Sequence, residues 1–93
     1  MDTVHIYLAN KTAKINKGDI TGIDITAKEV EYKDATEQEL VLMTGAFDEK
    51  DTVTWYVNGK STGSQDIPKQ LAVGEYTVKL VVQRDNYNDL KRL

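Results

Sequence analysis

Apolar and polar residues alternate most strictly from Thr52 to Val57 and again from Glu75 to Val82. In the first run Val53, Trp55 and Val57 share one face, and Thr52, Thr54 and Tyr56 share the other. In the second, Tyr76, Val78, Leu80 and Val82 point one way and Thr77 and Lys79 the other. Successive side chains of a strand leave opposite faces, so this alternation of β-branched and aromatic residues predicts half-buried strands. It makes Trp55, Tyr76, Val78 and Leu80 the expected structural core, with the lone tryptophan at its centre.

The flanking chain repeats the pattern in shorter pieces. Residues 3–9 place Val4, Ile6 and Leu8 opposite His5 and Tyr7, which predicts a strand. Thr12 to Asn16 is a shorter run carrying Ala13 and Ile15, and Lys17-Gly18-Asp19 is a turn signal. From Ile20 to Tyr32 the phase slips. Ile23, Ile25 and Ala27 share a face, while Val30 and Tyr32 fall out of step. A single-residue slip carries every later side chain across the sheet, so a bulge or a change of sheet is expected near Lys28-Glu29. Gln38 to Met43 predicts a strand with Leu40 and Leu42 inward, and its Leu-Val-Leu-Met ending outweighs the helix cap offered by Asp34 or Thr36. Asn58-Gly59 signals a hairpin, Pro68 makes any nearby strand short or an edge, and Arg84 to Asn88 reads as a turn. About seven short strands separated by turns imply an all-β chain, an antiparallel sandwich.

Ninety-three residues suit a single domain, and 40% apolar residues spread along the chain argue against disorder. No apolar run approaches the ~20 residues of a membrane-spanning helix, so no membrane insertion is expected. Asp2, His5, Asn10, Lys11, Lys14 and Lys17 interrupt any signal-peptide centre near the start. The net charge is −3, and Lys11, Lys14 and Lys17 have no interleaved aromatics, which disfavours nucleic acid. These lysines read as a solvated face or as protection of a sheet edge. Without cysteine there is neither a disulfide nor a thiolate ligand, so packing alone must hold the fold.

Candidate chemistry is sparse. His5 has no second histidine or cysteine to join it in a metal or catalytic set. Asp48, Glu49 and Asp51 form one oxygen-rich cluster, and Asp85, Asn86, Asn88 and Asp89 form another. Calcium is the cation such ligands suit, but turns collect Asp and Asn for backbone reasons alone. Ser61 and Ser64 lack a nucleophile elbow and a base. No acid falls on an inward face, so no enzyme, cofactor or metal is expected. The outward Tyr7 and Tyr56, with Asn58 and Lys60 at a loop tip, are the candidate contact surface for protein or, alternatively, a glycan.

Two stretches carry a resemblance. Gly18-Asp19-Ile20-Thr21-Gly22 followed by Ile25-Thr26-Ala27-Lys28-Glu29-Val30-Glu31-Tyr32 resembles the opening of immunoglobulin-like repeats in bacterial surface proteins and adhesins. Val73-Gly74-Glu75-Tyr76-Thr77-Val78 and Asp85-Asn86-Tyr87-Asn88-Asp89-Leu90 resemble their closing part. The resemblance implies a single antiparallel Ig-like sandwich over residues 18–93. It also implies a tyrosine corner at Tyr76, and Val78 facing Trp55 where antibody domains have a cysteine. The repeats then continue into a further strand, for which Leu90 to Leu93 look too short. Residues 1–17 are additional, and they are expected to fill the vacant sheet edge of their own chain or of a neighbour. The function expected is a non-catalytic structural or adhesion module whose partners are proteins. Its expected location is a phage virion, as capsid decoration or tail accessory. The alternatives are an excised repeat of a bacterial surface adhesin and a carbohydrate- or protein-binding module of a secreted protein.

Overall fold

The computed structural model describes residues 11–93, and every regular element among them is a strand. The strands are β1 (Gly18–Asp19), β2 (Asp24–Ala27), β3 (Gln38–Glu39), β4 (Val41–Thr44), β5 (Thr52–Val57), β6 (Lys60–Ser61), β7 (Lys69–Gln70), β8 (Val78–Gln83), β9 (Tyr87–Asn88) and β10 (Leu90–Arg92). The chain is all-β, but its strands are shorter and more numerous than the alternation predicts. They form one four-stranded sheet in the order β10-β8-β5-β6 and three two-stranded ones: β2-β4, β3-β7 and β1-β9. The β1-β9 pair is parallel; the others are antiparallel.

The two alternating runs become the central pair, β5 and β8, with Trp55 opposite Leu80 and Val57 opposite Val78. Val53, Trp55, Val78, Leu80 and Val82 are buried, while Thr52 and Gln83 are exposed. Val78 therefore lies beside the indole within one sheet, not across from it in a second layer. Ile20, Ile23, Val41 and Leu90 complete the buried cluster, so chain from the smaller sheets packs on the same core. Tyr76 is not part of that cluster; it stands half-buried just before β8. The indole N–H, buried with its ring, donates to the Gln65 carbonyl at 3.1 Å, which avoids the cost of an unpaired buried donor.

The Asn58-Gly59 signal gives a two-residue hairpin between β5 and β6. Both residues take the positive φ that a type I′ turn demands, 51° and 81°. Elsewhere the expected phases need correction. β2 stops at Ala27, and Val30 and Tyr32 are exposed in strand-free chain. In the Gln38–Met43 run it is Val41 that is buried, whereas Leu42 is 59% exposed. The reason lies at Leu40. Its N–H donates to Pro68 while its carbonyl accepts from Lys28, both at 3.0 Å. A regular strand residue offers both groups to one neighbour, so Leu40 interrupts the ladder and shifts the inward face by one residue.

Leu90–Arg92 do form a strand, β10, on the outer edge of β8. The Thr12–Asn16 run does not: residues 11–17 have no strand, and Ile15 is 100% exposed. The expected Thr3–Ala9 strand, with His5 and Tyr7, lies outside the described residues.

Candidate functional site

The charged cluster before β5 serves the fold. Thr52 and Gln83 are register partners, so Asp51 and Arg84 are the next residues out on each strand. Arg84 grips the carboxylate with two donors, Nε to Oδ1 at 2.6 Å and Nη2 to Oδ2 at 2.8 Å. The Asp48 amide adds a third bond, 2.9 Å to Oδ2. Arg84 holds the Asp51 carboxyl below its usual range; burial opposes this and the Asp48 amide assists it. Both carboxylate oxygens are thus engaged by protein donors. In the other acidic stretch, Asn88 Nδ2 donates to Asp19 at 2.9 Å and ties β9 to β1. Among the described residues no three acidic or histidine side chains converge as metal ligands would.

The expected contact residues do not form one surface. Tyr56 pairs with Ser61 and Val57 with Lys60, so Tyr56 and Lys60 leave opposite faces of the sheet. Tyr56 is half-buried beneath Lys79, whose ammonium sits 4.5 Å from the ring centroid. Asn58 is committed to the fold, its side-chain oxygen accepting from the Thr77 amide at 2.9 Å.

The apolar surface collects elsewhere, in a groove of about 640 Å³ at the start of β8. Five of the eight large exposed apolar residues among those described line it: Val30, Tyr32, Leu71, Val73 and Leu93. One wall is the strand-free chain after β2, which leaves the sheet once Lys28 has bonded to Leu40. The other is the loop before β8. There Tyr76 Oη donates to the Ala72 carbonyl at 2.6 Å, a tie back to the preceding loop that leaves Val73 84% exposed.

Backbone is open here as well. β10 pairs with Leu80, Val81 and Val82 and goes no further along β8. Thr77 exchanges both of its backbone groups with Asn58 on the β5 side. By the alternation of an antiparallel ladder, Val78 directs its own N–H and C=O to the β10 side. No partner for them appears there among the described residues. The groove thus offers apolar walls beside a strand edge that no described residue pairs, which suits an extended peptide. Sequence reading missed it because its walls are loops; the out-of-step Val30 and Tyr32 were the only signal.

Compared with known protein families, curated proteins and solved structures, the chain matches none.

Proposed function

We propose that this chain is a non-catalytic Ig-like β-sandwich module, displayed on a particle or cell surface, that works by docking protein at the groove beside β8. The sandwich reading is supported by the β10-β8-β5-β6 order, by a tryptophan on β5 and by a tyrosine tied back just before β8. Ile20, Ile23 and Val41, packed on the same core from outside that sheet, support a second layer. The observation that carries the docking role is the gathering of exposed apolar side chains in one groove. Apolar surface concentrated in this way favours a partner that removes it from water. The groove's charged residues, Lys28, Glu29, Glu31 and Glu75, line it together with the apolar ones, a mixture that suits binding.

A phage virion is the first placement, with the protein as capsid decoration or tail accessory; a bacterial surface is the second. Immunogold electron microscopy with antibodies against the chain tests display in the organism that encodes it. Gold on phage particles or on cell envelopes is expected, and the two placements separate at once. Label confined to the interior of intact cells, with none on particles, overturns the reading.

A further inference from the structure

We propose that the groove beside β8 receives the Thr3–Ala9 segment of a second copy of this chain, which adds a strand in line with β10. The inference names the partner of the docking role just proposed and rests on it.

The groove calls for an extended peptide with apolar residues at every second position. Walls lined by Val30, Tyr32, Leu71 and Val73 take side chains from one face of such a strand, and Val78 supplies backbone pairing. The chain contains such a peptide. Thr3–Ala9 carries Val4, Ile6 and Leu8 at alternate positions and no charged residue. Charge supports the match. Lys11, Lys14 and Lys17 follow the segment with no acid before Asp19, while the groove rim holds Glu29, Glu31 and Glu75 against Lys28.

Chain direction selects a second copy over the same one. Gly18–Asp19 lie beside Tyr87–Asn88, past the Gln83 end of β8. The groove is at the Val78 end, ~20 Å away along a six-residue strand. Residues 11–17 make no strand, and each of them is exposed, so they do not run back along the body. A segment leaving one end of the molecule and a receptor at the other form a head-to-tail contact. Such contacts join successive subunits into rings or open chains, according to the rotation between copies.

The test uses the purified full chain. Light scattering after size exclusion is expected to show a mass that rises with concentration past twice the monomer. Assembly is expected to weaken as salt is raised from about 0.05 M to about 1 M, which screens the lysines from the acidic rim. Ile6→Asp spoils the donor and Val73→Glu the receptor. Each variant alone is expected to stay monomeric, with an unchanged Trp55 emission spectrum as the check on folding. Mixed, they are expected to give a one-to-one dimer, because the Val73→Glu chain still has a donor and the Ile6→Asp chain still has a groove. A chain that stays monomeric up to ~1 mM overturns the proposal. So does a monomer whose Thr3–Ala9 amides are protected from hydrogen exchange, which means insertion within one chain. Assembly that survives both substitutions places the contact elsewhere. None of these failures touches surface display, which the gold labelling reads separately.

Discussion

Asp51 holds a negative charge on a side chain with no exposed surface, and the Arg84 guanidinium beside it makes that tolerable. Removing the acid leaves a partly buried cation and the Asp48 amide without their acceptor. Asp51→Ala is therefore expected to cost about 2 kcal/mol, the scale of hydrogen bonds to charged groups. In a domain of this size that lowers Tm by on the order of 10 °C in a thermal melt. The pH dependence has a definite sign. The folded carboxyl titrates below its unfolded value of about 3.9, so its contribution is complete above that pH. It is lost as pH falls through the lower, folded value. Urea melts of parent and variant are expected to differ at pH 7 and to draw together as the pH is taken below about 3.9; a gap that does not narrow there assigns the loss to packing. In the sequence this acid was hidden in an acidic turn. What distinguishes it is its place just outside an alternating run, with Arg84 just outside the matching one.

Among the elements, the strands best anticipated are those whose two faces meet different surroundings. β5 and β8 bury Val53, Trp55, Leu80 and Val82 on one side and leave Thr52 and Gln83 in water, so their alternation is strict. Asn58-Gly59 was equally legible, because few other pairs tolerate two successive positive φ values. The Gln38–Met43 stretch was misread for a local reason. At Leu40 the backbone turns its N–H to Pro68 and its carbonyl to Lys28, and Val41 takes the inward place expected of Leu42. Periodicity alone cannot reveal where such a slip falls, since both residues are apolar. Val41→Ala is expected to destabilise by about 2 kcal/mol, as a buried truncation does. Leu42→Lys, at an exposed site on β4, is expected to stay within about 0.5 kcal/mol of the parent. Chemical denaturation of the two variants checks this, and the reverse ranking restores the unshifted register.

At the scale of the whole molecule, the question is whether four small sheets behave as one body. Among the described residues no hydrogen-bonded ladder joins β2-β4 to the central sheet, and side chains make the connection. Ile23 supplies much of it. It is buried with Trp55, Leu80 and Leu90, and its carbonyl accepts from Arg92 on β10 at 3.3 Å. On the far side the chain before Ile23 is pressed against β4's end: a Cβ on Gly45 would overlap the Gly22 carbonyl oxygen, which only a glycine at φ 86° avoids. A core to which both β4 and the central sheet contribute buried residues should melt in one step. Ile23→Ala is expected to cost about 3 kcal/mol, from lost burial and the cavity left behind. The loss should appear in full in both far-ultraviolet dichroism, which follows all strands, and Trp55 fluorescence, which follows the central sheet. If fluorescence kept the parent midpoint while dichroism shifted, the smaller sheets would be a separate unit. The groove would then lose its rigidity, since the chain after β2 forms one wall and the loop before β8 the other. A docked strand needs both walls held at a fixed spacing, so the cooperativity of the core is what makes this groove a receptor.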